Sequence, residues 1–325
     1  MKRKKKKTLS RRIRRNIYRN RGPITAVIIA LFALLLLSFC LRGCGVFDRG
    51  DDRQAEDRSG SLETTQESYG VFLGVDASSF KIEDFDGFDL VVVDAQELRR
   101  EQLAQLHAKG HTVYSYLNVG SIEKNRDYFD QYKEYCLDRY ENWPDEYWID
   151  VSQDGWQKFA GDVLPDEILK KDPAVDGLFL DNLDIYSHVL EEKKYRDKGE
   201  DVFEGLISIL DKYTQMDLPV LINGADVFVQ RLIDENRTDL IRGVNQETVF
   251  SSIRDYERDK FGVQPKSERT YYMEYLSRCK KAGLDVFLLE YTLDEDVKEA
   301  ILTYCRKNGF RCYISGHVNL VPSGE

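Results

Sequence analysis

The stretch at residues 176–186, "DGLFLDNLDIY", joins a short apolar run to two acids that follow it closely. The run at 178–180 is typical of a strand buried on both faces of a parallel sheet. Asp176 and Gly177 predict the turn that begins this strand. A carboxylate at the end of a buried strand is costly unless it is paired or used. Asp181 and Asp184 are therefore the first candidates for a functional role.

Seven further apolar runs have the same character: residues 70–76, 88–96, 111–123, 219–226, 242–247, 285–291 and 311–316. An extra short run, at 146–151, precedes the stretch at 176–186. Amphipathic segments lie between the runs, and in one of them Leu98, Leu103 and Leu106 share a helical face before Gly110. Eight strands that alternate with helices predict an α/β fold, a (β/α)8 TIM barrel over residues 70–325. A doubly wound open sheet is the alternative, although no G-x-G-x-x-G motif or P-loop follows any run.

The N-terminal part of the chain has three distinct compositions. Residues 1–23 are strongly basic, with 12 Lys and Arg and no acid before position 22. The uncharged apolar run at 24–41 has the length of a transmembrane helix. The polar, charged segment at 42–69 predicts a flexible stalk. Because the positive charges precede the apolar run, we expect a single-pass signal anchor with a cytoplasmic N-terminus and an extracellular domain at the cell membrane. A cleaved signal peptide is the competing interpretation.

The net charge limits the class of partner. The whole chain carries −10, and without its 12 N-terminal positive charges the remainder carries about −22. An acidic body does not indicate a nucleic-acid-binding protein, because phosphate contacts need clustered cations. It favours a neutral or cationic partner, or simply a well-solvated surface.

Nearly every predicted strand ends in an acid. The acids are Asp76, Asp94, Glu123, Asp150, Asp181 with Asp184, Asp226, Glu247 and Glu290. Amides accompany them, among which Asn118 and Asn223 are candidate substrate contacts. A barrel gathers these side chains at one face, where such a ring serves either a hard-metal site or glycoside hydrolysis by two carboxyl groups. Single members of the ring, such as Asp150, Asp184 or Asp226, have the alternative role of capping a helix or binding a loop amide.

Aromatic residues near the strand ends favour a sugar ligand. They are Tyr114, Tyr116, Tyr147, Trp148, Tyr186, Tyr291 and Tyr313. Their rings offer flat faces to sugar C–H groups and polar atoms to sugar hydroxyls. We expect about half of them to be packing residues, and Tyr116 and Tyr291 to contact substrate.

Histidine and cysteine provide no comparable pattern. The four histidines lack paired-ligand spacing, no C-x-x-C pair occurs, and no G-x-S-x-G motif is present. No metal site or cofactor is therefore predicted. Cys305 and Cys312 are either a disulfide pair or plain thiols.

Five motifs in order, "YLNVGSIE", "DGLFLDNLD", "VLINGAD", "VNQE" and "VFLLEY", resemble glycoside hydrolase family 114. The resemblance covers roughly residues 70–320. It implies a barrel enzyme of the endo-α-1,4-polygalactosaminidase type, acting on an exopolysaccharide that contains galactosamine. It also implies a catalytic pair on the fourth and sixth strands, which are Asp181 and Glu247 here, with Asp184 in support.

The sequence thus favours an extracellular, membrane-anchored glycosidase. Asp181 is predicted as nucleophile or base and Glu247 as general acid/base, with the opposite assignment left open. Asp76, Asn118, Asp184, Asn223 and Glu290 are the predicted substrate contacts besides the two tyrosines. The alternatives are a polysaccharide-binding barrel without turnover and a Mg²⁺- or Ca²⁺-dependent hydrolase that uses the carboxylate ring.

Overall fold

A computed structural model describes residues 68–140, 143–171 and 175–322. Eight parallel strands form one sheet, whose spatial order follows the chain. They are β1 (Tyr69–Phe72), β2 (Leu90–Val93), β3 (Thr112–Asn118), β7 (Gly177–Asp181), β8 (Val220–Asn223), β9 (Gly243–Glu247), β12 (Asp285–Tyr291) and β13 (Arg311–Ser315). The sheet curls so that its first and last strands adjoin, with the rings of Phe72 and Tyr313 5.5 Å apart. All eight predicted strands, and the predicted barrel, are confirmed.

The strands are buried as the apolar runs predict. Phe179 and Leu180 are 0% exposed, as are residues 91–93 of β2. Strand β7 begins at Gly177. The carboxylate of the preceding residue, Asp176, accepts a hydrogen bond from the backbone N–H of Val113 at 2.8 Å. This contact joins the start of β7 to the neighbouring strand β3.

Helices separate the strands. They are α1 (Arg100–Ala108), α2 (Phe129–Tyr132), α3 (Asp154–Lys158), α4 (Leu164–Lys171), α5 (Ile185–Glu191), α6 (Gly199–Gln215), α7 (Asp226–Asp234), α8 (Lys266–Lys281) and α9 (Glu295–Asn308). A π-helical turn, Phe159–Val163, joins α3 to α4. Asp294 caps the N-terminus of α9, where its carboxylate accepts from the N–H groups of Asp296 and Val297, and Gly309, with φ +64°, caps the C-terminus.

Two antiparallel additions lie outside the barrel. One is a three-stranded sheet of β4 (Ser121–Glu123), β5 (Cys136–Arg139) and β6 (Glu146–Ile149), with β6 in the centre. The other is the hairpin of β10 (Ser251–Asp255) and β11 (Lys260–Val263). The predicted run at 111–123 is thus divided between β3 and β4, and the run at 146–151 supplies β6 rather than a barrel strand.

The predicted basic segment at 1–23 and transmembrane segment at 24–41 lie outside the described residues. Strand β1 begins at Tyr69, one residue earlier than the predicted end of the stalk would allow. Within the described ranges, no helix has the length and apolar character that crossing a membrane requires. Cys305 and Cys312 carry free thiols that contact each other.

Candidate active site

A cavity of about 630 Å³ opens at the carboxyl ends of the barrel strands. Its volume lies within the range of sites that bind small molecules. Five acids line it, Glu123, Asp145, Glu146, Asp181 and Glu247, whereas none of the described residues that line it is Lys, Arg or His. The electrostatic potential of such a site favours neutral or positively charged ligands.

Asp181 and Glu247 face each other across this cavity through the side chain of Asn223. Its Nδ2 donates to Asp181 Oδ1 at 3.0 Å and to Glu247 Oε1 at 2.8 Å. Because one nitrogen bonds both oxygens, these oxygens are at most about 6 Å apart, the spacing at which two carboxyl groups act on one glycosidic bond. The parallel register brings the ends of β7, β8 and β9 to one level.

A buried chain of hydrogen bonds fixes the orientation of the Asn223 amide. Asn245 Nδ2 donates to Asn223 Oδ1 at 2.7 Å, and the Tyr69 hydroxyl donates to Asn245 Oδ1 at 3.3 Å. The oxygen of Asn223 is therefore occupied, and its nitrogen is directed at the two carboxylates.

Both carboxyl groups titrate above their ordinary range. Burial raises the pKa of Asp181 well above its usual value, and the negative charges of Glu247 and Glu146 raise it further. Burial also raises the pKa of Glu247, although hydrogen bonds from Asn223 and from the Tyr291 hydroxyl at 3.1 Å oppose that shift. Shifts of this kind, in a cleft, are typical of acid–base catalysis.

Glu146 enters the cavity from the central strand of the added sheet. Its Oε1 accepts from Asn118 Nδ2 at 2.8 Å, from Asn182 Nδ2 at 2.7 Å and from the Ser121 hydroxyl. Asn182 also donates its backbone N–H to Asp181 Oδ1 at 2.9 Å, and its φ of +62° lies in the left-handed region. One residue therefore holds both carboxylates, in a backbone conformation that tertiary contacts must maintain.

Close packing around Gly120 secures this arrangement. A Cβ atom at Gly120 would lie 1.8 Å from the carbonyl oxygen of Asn182. Only glycine permits this approach of the β3–β4 turn to the backbone that follows Asp181.

Arg126 fixes one side of the cavity. It bonds Asp94 at 2.7 Å and Glu123 at 3.3 Å, and the Tyr116 hydroxyl donates to Glu123 at 3.2 Å. The charge of Glu123 is thereby paired, whereas the described residues provide no such cation for Asp181, Glu146 or Glu247.

Aromatic rings form the outer part of the cavity. Tyr140 packs on Trp148 with a centroid distance of 4.6 Å. Trp143 precedes β6, Tyr256 follows β10, and their rings meet edge to face at 5.8 Å. Both of these residues line the cavity, so the two antiparallel additions contact each other beside it.

The structure brings together five of the predicted site residues and separates four others from the cavity. Tyr116, Asp181, Asn223, Glu247 and Tyr291 line it. Asp76, Asn118, Asp184 and Glu290 do not line it. Asn118 instead supports Glu146 from a buried position.

The other three separated residues hold loops. Asp76 accepts four hydrogen bonds from the backbone N–H groups and hydroxyls of Ser78 and Ser79, which lower its pKa to about 2. Asp184 accepts from the N–H of Ala225 at 3.0 Å, in the loop that follows Asn223. Asp76 and Asp184 therefore bind the backbone N–H groups of loops rather than substrate.

Glu290 is fully buried beneath the loop that follows Glu247. It accepts from the N–H groups of Phe250 and Ser251, both at 2.9 Å, and burial raises its pKa to about 7. The prediction of a substrate contact does not hold for Glu290, since its oxygens are occupied by the backbone.

Remaining members of the predicted ring also have structural partners. Asp94 pairs with Arg126, Asp150 bonds Ser152 and Lys198, and Asp226 accepts from the Tyr271 hydroxyl. In the described part of the chain, no group of three or more His, Cys, Asp or Glu side chains is arranged to hold a metal ion.

Sequence reasoning missed Glu146, Tyr140, Trp143 and Tyr256. Glu146 stands at the start of a short apolar run, and it reaches the cavity because β6 lies outside the barrel and is antiparallel to its neighbours. Glu146 therefore does not lie at the carboxyl end of a barrel strand, where the sequence predicts the functional side chains. The aromatic cluster in residues 140–148 was the available signal.

An eight-stranded barrel with a carboxylate pair in an acidic cleft is the architecture of a glycosidase. The sequence bears this out: residues 52–319 match the profile of glycoside-hydrolase family GH114, and the chain belongs to that family.

Solved structures share the fold at low sequence identity. The glycoside hydrolase domain of PelA from Pseudomonas aeruginosa is 19% identical, with a TM-score of 0.64, over 78% of this chain and 95% of that one. Ega3 from Aspergillus fumigatus, solved in complex with galactosamine, is 15% identical, with a TM-score of 0.60, over 79% of this chain and 93% of that one. No curated protein matches the sequence significantly.

Proposed function

We propose that this glycosidase cleaves an α-1,4-linked polymer of galactosamine or N-acetylgalactosamine. The observation that carries the proposal is the lining of the cavity. Five of its residues are acids, and none of those that the structure describes is Lys, Arg or His. A de-N-acetylated amino-sugar polymer is a polycation, which such a cleft attracts. The galactosamine bound to Ega3, a protein of similar fold, supports the choice of sugar.

The proposed mechanism assigns one step to each carboxyl group. Asp181 attacks the anomeric carbon while Glu247 gives its proton to the departing glycosidic oxygen. Glu247 then takes a proton from water, the resulting hydroxide displaces Asp181 from the anomeric carbon, and one water is consumed. The bridging Asn223 amide, which limits the oxygen separation to about 6 Å, supports direct attack with retention rather than inversion through an intervening water.

The raised pKa of Glu247 suits the assigned acid, because burial favours its protonated form. Burial also raises the pKa of Asp181, and the negative charges of Glu247 and Glu146 raise it further. A bound cation would offset that repulsion and favour the ionised form of Asp181.

Hydrolysis and mere binding are distinguished by measuring reducing ends and polymer binding on the same protein. We expect purified protein to release reducing ends from de-N-acetylated α-1,4-galactosamine polymer. Binding without product release would instead identify a polysaccharide-binding barrel. Proton NMR of the first product should show the α-anomer before mutarotation, whereas an initial β-anomer would contradict the retaining mechanism.

The proposed location is the outer face of the cell membrane, with residues 24–41 as an uncleaved anchor. Its support is the apolar run flanked by positive charge. We expect the full chain to remain in the membrane fraction after an alkaline wash and to be digested by protease added outside intact cells. Replacing Leu34 and Leu36 with Arg should release it from that fraction, and a soluble wild-type chain would contradict the anchor.

A further inference from the structure

The two carboxylate oxygens of Glu146 differ in their hydrogen bonding. Three donors from Asn118, Ser121 and Asn182 converge on Oε1. In the described part of the chain, no hydrogen bond or ion pair reaches Oε2. The residue is only 6% exposed, yet it lines the cavity.

A carboxylate with only a structural role would be expected to have partners on both oxygens. A buried carboxylate is normally paired with a cation or bonded through both oxygens. Glu123, on the same cavity wall, shows the complete form, because Arg126 contacts both of its oxygens. Glu146 has only neutral donors, all on Oε1, so Oε2 is left for a ligand.

The position of Glu146 relative to the catalytic pair identifies the ligand group. Asn182 bonds Glu146 through its side chain and Asp181 through its backbone, which keeps the two acids side by side. With Asp181 at the anomeric carbon, a carboxylate beside it is within reach of the substituent on the adjacent ring carbon. In galactosamine that substituent, on C2, is an ammonium group.

We propose that Glu146 Oε2 binds the 2-ammonium group of the sugar at the cleavage site and so selects the free amine over the N-acetyl form. This assignment rests on the proposed function of the cleft. An ammonium group gives Oε2 a charge-assisted hydrogen bond. An acetamide group offers one neutral N–H and brings its methyl and carbonyl groups against a carboxylate in a confined space.

The variant Glu146→Gln tests this with little disturbance to the fold. Gln keeps an Oε1 for the three donors and replaces only the unused oxygen. We expect kcat/KM on de-N-acetylated α-1,4-galactosamine oligosaccharides to fall by about 10- to 100-fold, the usual effect of one charge-assisted hydrogen bond. On the N-acetylated oligosaccharides we expect a change of less than about threefold.

Asp127→Asn is the control, because it removes the same charge from an exposed residue that does not line the cavity. It should lower kcat/KM on the cationic oligosaccharide by less than about threefold, with an effect that disappears in high salt. A loss equal to that of Glu146→Gln would mean that only overall charge matters, and would overturn the assignment.

Binding of monosaccharides makes the test independent of turnover. In a Glu247→Gln background, NMR titration should give a lower Kd for galactosamine than for galactose, and adding Glu146→Gln should abolish that preference. An unchanged preference, or an equal loss of activity on both oligosaccharides, would overturn the role of Glu146. Wild-type protein that cleaves neither oligosaccharide would instead overturn the proposed function.

Discussion

At the scale of single residues, the site depends on one amide between two carboxylates. Asn223 donates to both Asp181 and Glu247, and its orientation is fixed from behind by Asn245. Two buried carboxylates this close repel each other, and the shared donor reduces the cost of ionising either one. Asn223 is therefore a positioning residue whose loss should change both rate and pH dependence.

Asn223→Ala should lower kcat by about 10- to 100-fold on galactosamine oligosaccharides. Because the bonds from Asn223 lower the pKa of both acids, their removal should move the acidic limb of the kcat profile to higher pH. Asn125→Ala, which removes an exposed amide from the same cavity, is the control. A lower rate without a shift of the profile would contradict the role given to Asn223.

Most of the predicted residues that line the cavity follow one geometric rule. Asp181, Asn223 and Glu247 end parallel strands, and all such ends meet at one face of a barrel. Asp76 and Glu290 obey the same rule, but short-range backbone contacts occupy them. Glu146 follows no such rule, because only the tertiary path of β6 brings it to the cavity.

At the scale of elements, the barrel strands were predictable and the antiparallel additions were not. Burial on both faces leaves an apolar run that any sequence inspection detects. Strands β10 and β11 are short and partly exposed, with polar residues such as Ser252 and Lys260, so no periodic signal marks them. These less regular elements supply Trp143 and Tyr256, whose contact forms the outer part of the site.

Helix α9 illustrates a locally encoded element. Asp294→Ala removes the acceptor for the N–H groups of Asp296 and Val297, so the free energy of unfolding should fall by about 1 kcal/mol. Asp294→Asn keeps a capping oxygen and should cost only a few tenths of that amount. Urea denaturation of both variants measures the difference, and equal stabilities would contradict the cap.

At the scale of the whole molecule, buried carboxyl groups tie stability to pH. Glu290 has a pKa of about 7 in the folded protein, above its ordinary 4.5. Because the unfolded chain loses this proton first, the free energy of unfolding should decrease as pH rises from about 4.5 to about 7. The contribution of Glu290 to this decrease is about 3 kcal/mol, and Asp181 and Glu247 act in the same direction.

Urea titrations between pH 4.5 and 8 test this dependence. Glu290→Gln, which is neutral throughout, should reduce the decrease in stability over this range. A wild-type stability that rises toward pH 7, or a variant with the same slope as wild type, would contradict the burial of an ionisable Glu290.

The central claim is that Asp181 and Glu247 together perform hydrolysis of a galactosamine polymer. Its most direct test is kcat for reducing-end release from de-N-acetylated α-1,4-galactosamine polymer by wild type, Asp181→Asn and Glu247→Gln. Each variant should lose activity by about 1000-fold or more while still binding the polymer, since each lacks one of the two reacting groups. Wild-type activity in both variants would contradict the account.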